Sequence, residues 1–225
     1  MINKLKNSVK NSSSIWKLRC FLSLKLFGNN KVRIKGNNNF FNATTALLKK
    51  TEIHVFGNDN CLYINEGVRF EGVIKIYGNN NSIEIHDNCV IKGAKFWIED
   101  DKNKIVIGRY STVEENTEFA TIEGCNIIIG EDCMISSEVT IRTGDSHSIL
   151  NNEGIRINSS QNIKVGNHVW IGNKAVLTKG SLVSDNSIVG SGALVNKVFE
   201  IKNCIIAGVP AKVIKEQISW LRERI

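Results

Sequence analysis

The sequence predicts an all-β solenoid, a parallel β-helix of hexapeptide repeats, on three observations. From Val165 an aliphatic or small residue recurs at every sixth position: Val165, Ile171, Leu177, Val183, Val189, Val195, Ile201, Ala207 and Val213. Four residues after each comes a second, mostly small one: Val169, Ala175, Ser181, Ser187, Ala193, Phe199, Ile205 and Ala211. The chain also combines 18 glycines and abundant asparagine with a single proline, a composition suited to tight turns in left-handed backbone conformations. A strict period of six fits neither a helix nor an alternating strand. Each hexapeptide is then a short strand plus a turn, and three make one triangular coil.

The first position of each hexapeptide points inward and fills the prism. The position four later is small because the chain turns a corner there, and Gly, Asn and Asp supply the turn. Upstream the pattern is looser. Ile85, Ile91 and Trp97 hold the first position, as do Ile107, Val113, Phe119, Ile129, Ile135 and Ile141, with Cys89, Ser111, Thr117, Cys133 and Asp145 among their small partners. A second marker recurs at Asn39, Asn60, Asn81, Asn103, Asn126 and Asn162, each just before a strand. Stacked at one corner, these side chains would form a hydrogen-bonded ladder.

The elements follow in order. Residues 1–30 form a basic N-terminal segment in which SSSIWKLRCFLSLKLF reads as an amphipathic helix with a Ser cap. It would cover the open end of the solenoid, or dock on an anionic membrane. Residues 31–212 form the β-helix, interrupted at 142–161 by IRTGDSHSILNNEG and its neighbours. The Asn126 to Asn162 interval is 36, where earlier ones are 21 to 23. Residues 213–225, VIKEQISWLRERI, read as a closing C-terminal helix.

The net charge of +7 is uneven. No Asp or Glu precedes Glu52, whereas 11 Lys or Arg do, leaving 18 basic against 22 acidic residues in the rest. A basic end on a mildly acidic body suits an anionic membrane surface or a polyanionic glycan. Nucleic acid is disfavoured, because no aromatic–basic interleaving of the usual kind occurs. The six cysteines form no CxxC pair and read as buried thiols of a reducing, cytoplasmic compartment, at most at the inner face of a membrane. The apolar run near the start is broken by Lys17, Arg19 and Lys25, so it reads as neither a signal peptide nor a bilayer span.

Of the four histidines, His54 and His86 occupy strand or turn positions of the looser coils and His168 a turn. His147 sits in the insertion, and an insertion points away from the prism, where a site can be built. No GxSxG motif or neighbouring cysteine offers a nucleophile. Histidines at 54, 86 and 147 lack the spacing of a shared zinc site, so no metal is expected.

The tail HVWIGNKAVLTKGSLVSDNSIVGSGALVNKVFEIKNCIIAGVPAKVIKE resembles hexapeptide-repeat acetyltransferases that use acetyl-CoA. The match covers roughly residues 127–215. The upstream RTGDSHSI, followed by GIRIN and HVWIG, resembles a narrower group, bacterial O-acetyltransferases of polysialic acid and other capsular or surface polysaccharides. The resemblance implies a left-handed β-helix, a homotrimer with sites between neighbouring prisms, acetyl-CoA as donor and a glycan as acceptor. It places the catalytic base at His147 and a tryptophan against the donor or acceptor at Trp170. Asn173 and Ser191 match positions that bind the pantetheine arm through backbone groups left accessible by Gly190 and Gly192. Asn196 and Lys197 stand where Thr-Lys is common, and Lys212 and Lys215 where basic residues meet nucleotide phosphates.

A sugar hydroxyl is a weak nucleophile and needs a base within hydrogen-bond reach, for which histidine is suited near neutral pH. Asp145 would orient the imidazole, or, on the small inward position of the register, simply shape the turn. The alternatives are transfer to a small acceptor, such as a nucleotide amino sugar or serine, and a non-catalytic β-helix scaffold.

Overall fold

In a computed structural model, residues 13–24 and 28–225 are described. The chain winds into a triangular parallel β-helix whose third wall is an eight-stranded sheet. The other two walls share one larger sheet, because the long strands Leu47–Phe56, Arg69–Tyr77 and Val90–Glu99 bend from wall one into wall two at an irregularity in their pairing. Inward residues stack coil on coil. Leu48, Phe70, Ile91, Val113, Ile135, Ile171, Val189 and Ile206 fill wall one, each at most 1% exposed.

Coil length changes along the axis. Equivalent positions are 21 or 22 residues apart in the N-terminal coils and 18 in the C-terminal ones. The surplus lies on wall two and its following corner. There, Thr51–Phe56 pairs across six positions with Gly72–Tyr77, whereas the later strand Val176–Thr178 has three. The wider coils enclose stacked phenylalanines, with Phe96 at 5.9 Å from Phe70 and 4.9 Å from Phe119 between ring centroids.

The corners explain the asparagine and glycine content. Asn38, Asp59 and Asn80 take positive φ at one corner, and Asn88, Asp132, His168, Asn186 and Asn203 at another. Gly57, at φ 140, could not carry a side chain, since a Cβ there would lie 1.9 Å from the Gly78 carbonyl oxygen of the next coil. The asparagine ladder forms over Asn39, Asn60, Asn81 and Asn103, where each Oδ1 accepts the next rung's backbone N–H at 2.8–3.0 Å. Above Asn103 the column passes to Cys125, whose N–H takes the Asn103 Oδ1, so Asn126 is not a rung. Asn126 and Asn162 instead pair at the surface.

The described helix, α1 (Ser13–Leu22), covers the N-terminal end. Cys20 is buried, the Trp16 indole donates to the Thr45 carbonyl, and the Ser23 hydroxyl accepts from the Leu48 N–H. Residues 1–12 and 25–27 of the expected N-terminal segment lie outside the described residues. A cavity of about 250 Å³ lies between α1 and the first coils, bounded by Arg19, Leu22, Ser23, Leu48 and Lys49.

Three expectations are corrected. Trp97 is not inward: Phe96 and Ile98 are buried and Trp97 faces out, because the wider coil shifts the register by one. The period of six ends at Val195. The following corner is shorter, so Phe199, Cys204, Ile206 and Ala211 are the buried residues, while Ile201 is 46% exposed and Ala207 and Val213 are only half-buried. No helix forms over residues 213–225. Ala211–Lys215 pairs antiparallel with Ile205–Gly208, and the rest lies irregularly against the solenoid. A segment this short has little helical stability of its own, and side-chain contacts to the coils hold it instead. Trp220 stacks on His168 at 4.0 Å and donates to the His168 carbonyl, and Arg222 bonds Asp132, Thr112 and the Tyr110 and Cys133 carbonyls.

Among the cysteines, five are buried and Cys61 is half-buried; all six are free. Burial pushes the Cys89 thiol up to about 12 and the Cys133 thiol to about 11, so these two behave as core packing groups.

Candidate functional site

The insertion leaves wall two after Thr140–Arg142 and rejoins wall three at Ile163–Val165. Its neck is tight. A side chain on Gly144 would meet the Ser160 hydroxyl at 2.3 Å and Ile122 Cδ1 at 2.6 Å. Beyond the neck the loop folds back on itself through a Leu150–Arg156 bridge, and its tip residues Ile149, Leu150, Ile155 and Ile157 are exposed.

Asn158, buried under the loop, organises it. Its amide donates to the His147 carbonyl at 2.7 Å and to Asp145 Oδ2 at 2.9 Å, and its Oδ1 accepts from the Ile149 N–H at 2.8 Å. Lys179, from the next coil at the same corner, donates to Asp145 Oδ2 at 2.5 Å and to the Asn158 carbonyl at 2.9 Å. The Lys179 bond first, and then that of Asn158, holds the Asp145 carboxyl below the ordinary aspartate value. The loop's return arm is pinned by Glu123, which pairs with Arg156 at 2.7 Å and accepts the Ser160 N–H at 3.1 Å. These bonds, Arg156 foremost, lower the Glu123 carboxyl too.

His147 is therefore fixed by its backbone while its ring projects into solvent. Among the described residues no side chain hydrogen-bonds that ring. Asp145 is exposed, not inward, because the coil has already left the hexapeptide register at the buried Thr143. Its hydrogen bonds go to Lys179 and Asn158. Neither Lys179 nor Asn158 was singled out from the sequence. A lysine and an asparagine among many carry no signal until the fold places them under one loop.

The remaining candidates divide by location. Trp170 stands on the outer face of wall one, 36% exposed, its indole donating weakly to the Ser136 hydroxyl at 3.4 Å. Trp220 lies beside it at 6.2 Å. Asn173 and Ser191 follow at the corner between walls one and two, on successive coils. The Asn173 amide donates to the Ser137 carbonyl and hydroxyl. Gly190 and Gly192 donate their N–H groups to Ile206 and Asn173 carbonyls within the coil ladder, so those donors are already engaged. Lys212 and Lys215 are exposed on the closing hairpin beside wall one. Asn196 and Lys197 sit on the other side, at the corner between walls two and three, above Lys179 and the His147 loop, with Lys197 over the Phe199 ring at 5.3 Å.

In a triangular prism, wall one faces the corner between walls two and three. His147, Asp145, Lys179, Asn196 and Lys197 lie at that corner, Trp170, Lys212 and Lys215 on or beside wall one, and Asn173 and Ser191 at the corner where walls one and two meet. Among the described residues no hydrogen bond or ion pair joins the His147 group to the Trp170 group. His54 and His86 are surface residues beside Glu52 and Glu84. His168 Nδ1 lies 2.7 Å from Asp132 Oδ2. Burial pushes the Asp132 carboxyl up, but bonds from His168 and Arg222 outweigh it and hold the group below its ordinary value. Among the described residues no group of three or more His, Cys, Asp or Glu could hold a metal, and no helix is long and apolar enough to cross a membrane.

No protein-family model matches the chain. A polysialic acid O-acetyltransferase of Escherichia coli O1:K1 / APEC is 36% identical over 138 residues, 61% of this chain and 44% of that protein. One from Neisseria meningitidis is 35% identical over 113 residues, 50% of this chain and 53% of that protein. The chain spans about half the length of these curated relatives. Two solved structures resemble it along most of their length. The polysialic acid O-acetyltransferase OatWY superposes with a TM-score of 0.80 at 34% identity, covering 87% of this chain and 92% of that one. The polySia-specific acetyltransferase NeuO gives 0.77 at 33% identity, covering 86% and 83%.

Proposed function

Because the chain belongs to the polysialic acid O-acetyltransferase family of hexapeptide-repeat proteins, we propose that it moves an acetyl group from acetyl-CoA to a hydroxyl of a bacterial surface glycan, with His147 as general base. Its fold is the left-handed β-helix of hexapeptide-repeat acetyltransferases. The observation that carries the proposal is the loop. Of the four histidines, one is lifted off the prism by an insertion, with its backbone clamped by a buried asparagine and its ring left free for a substrate proton.

The chemistry is direct acyl transfer. The His147 imidazole takes the hydroxyl proton as the sugar oxygen attacks the thioester carbonyl; the new C–O bond forms, the C–S bond breaks, and the imidazolium returns the proton to the departing sulfur. Such a base contributes about 10²- to 10⁴-fold in rate. Asp145 acts through Lys179 and Asn158 to hold the loop that presents the base. Trp170, Asn173, Ser191, Lys212 and Lys215 form the donor side, where exposed lysines suit nucleotide phosphates as point charges. Asn196 and Lys197 flank the acceptor loop.

The placement of the His147 loop at the corner that wall one, with Trp170, faces across the prism supports a homotrimer, in which the His147 side of one protomer meets the Trp170 side of its neighbour. Six free thiols support a cytoplasmic location.

The test is His147→Ala, assayed with labelled acetyl-CoA over purified capsular and lipopolysaccharide fragments. Transfer should fall by about 10²- to 10⁴-fold while CoA still raises the melting temperature. Unchanged turnover would sink the assignment. Transfer to a nucleotide amino sugar or serine, but to no polymer, would replace the acceptor.

A further inference from the structure

The surplus residues of the N-terminal coils widen wall two, and the outward side chains of that wall form a patterned surface. In register from coil to coil run Arg33, His54, Lys75 and Trp97, then the buried Ala120, then the exposed Arg142. Beside them run Lys35, Phe56, Tyr77 and Glu99. The aromatic rings form a continuous ladder, Phe56 stacked on Tyr77 at 5.4 Å and 2°, and Tyr77 against Trp97 at 5.5 Å. Cations ride on it: Arg33 and Lys35 over Phe56 at 5.6 and 5.9 Å, Lys75 and Lys95 over Trp97 at 5.5 and 4.5 Å.

Of the carboxylates on this face, Glu118 is matched by Lys95 and Glu52 lies 3.0 Å from His54 Nε2; Glu99 stands at the edge. Among the described residues Lys31, Arg33, Lys35 and Lys75 form no ion pair. Three of these four belong to the acid-free stretch before Glu52, which the fold sets on the outer face of the first coil.

We propose that this face is a track for a linear polymer of carboxylated sugars, running along the solenoid axis to the base of the His147 loop. The proposal rests on the glycan acceptor class proposed above. Three features fit that occupant. Flat apolar sugar faces pack on aromatic rings, and the flanking ammonium and guanidinium groups meet the carboxylates. Parallel strands stand about 4.8 Å apart, so the five steps from Arg33 to Arg142 span roughly 24 Å, long enough for several sugar residues and too long for one. The column also reaches Arg142, where the chain departs into the loop that carries the base, before it continues to Thr178 on the next coil. A chain lying on the track is thereby led toward His147, and long acceptors gain affinity that short ones cannot.

The experiment compares wild type with the Lys75→Glu, Trp97→Ala double variant of the full chain. It measures affinity for long polysialic acid, for its short oligomers and for uncharged dextran, along with acetyl transfer to long and short acceptors. The expected result is a roughly tenfold or greater loss of long-chain affinity and a weaker salt dependence, with short-acceptor turnover and CoA-shifted melting unchanged. Long-chain affinity within twofold of wild type, or equal binding of dextran by wild type, overturns the track. A changed sedimentation mass in the variant overturns it too, showing the face to be a contact between copies. A wild type that acetylates no glycan, yet loses long-chain binding in the variant, defeats the acceptor reading and upholds the track.

Discussion

The N-terminal and C-terminal coils solve the same packing problem with different amounts of chain. In the C-terminal coils 18 residues suffice: one inward aliphatic per wall, such as Leu177 or Val195, and small corner residues such as Ala175, Ser181 and Ser187. The N-terminal coils use 21 or 22, and the extra residues bring two changes together. Inside, the wider prism accepts stacked phenylalanines. Outside, wall two gains a third column of side chains, which carries Lys35, Phe56 and Tyr77. Structure and surface are coupled, since a coil cannot gain the outer column without a larger interior to support it.

The strongest way to probe that coupling is Phe96→Ala. Phe96 is fully buried between Phe70 and Phe119. Its truncation should cost about 3–5 kcal/mol, read as a loss in unfolding free energy by denaturant titration. Because a solenoid's stability is carried by nearest-neighbour contacts, protection from hydrogen exchange should fall chiefly in coils 69–121. A loss spread equally to coils 170–208 would show the two regions to be one cooperative unit.

A second comparison sets the buried asparagine ladder against the hydroxyl corners above it. Asn81 is 1% exposed, accepts the Asn103 N–H and donates to the Asp100 carbonyl. Asn81→Ala leaves the Asn103 N–H without its partner and takes one bond from the Asn103 side-chain amide, at a cost of about 1–3 kcal/mol. Ser187, the small corner residue of a later coil, donates to the Asp185 carbonyl at 3.2 Å, meets Cys204 Sγ at 3.5 Å and accepts the Cys204 N–H at 3.4 Å, all longer than the 2.8 and 2.9 Å bonds of Asn81. Ser187→Ala should therefore cost less. Equal losses in the two variants, measured by the same denaturant titration, would remove the distinction between ladder and corner.

The sequence made these two regions legible to different degrees. The strict period from Val165 to Val195 predicts its coils residue by residue, since a minimal coil leaves no freedom in where inward positions fall. Where coils are longer, one irregularity between Phe70 and Gly72, or its counterpart near Gly93, moves the register by one and turns Trp97 outward. Periodicity does not see such a step. The insertion at 142–161 was visible as a gap in the asparagine spacing, and His147 with it. Its supports were not, because Lys179 and Asn158 act across coils that sequence distance separates. The closing segment failed for a related reason: its residues satisfy a helical pattern, but Trp220 and Arg222 find partners on His168 and Asp132, contacts that no local propensity reports.

The smallest effect concerns how the loop is held, and it separates the insertion from the regular coils by pH. Every inward position of the coils is apolar or hydrogen-bonded, whereas the loop is held at both arms by carboxylates, Asp145 facing Lys179 with Arg156 nearby and Glu123 facing Arg156. Both carboxyls titrate lower in the folded chain than unfolded. Their contribution is therefore complete above the unfolded values near pH 4, and it fades as pH falls through the folded ones. Exchange protection at the Ile149 N–H, which rests on Asn158, should hold steady from pH 7 to about pH 5 and drop below about pH 4, while the Ile127 and Ile163 amides stay protected. In Lys179→Met the Asp145 arm loses its partner already at neutral pH, so Ile149 protection should be reduced at pH 7 and the acid step should shrink. Loop protection that follows the coils at every pH would show that the tight neck at Gly144 and Ser160, and not the ion pairs, holds His147 in place.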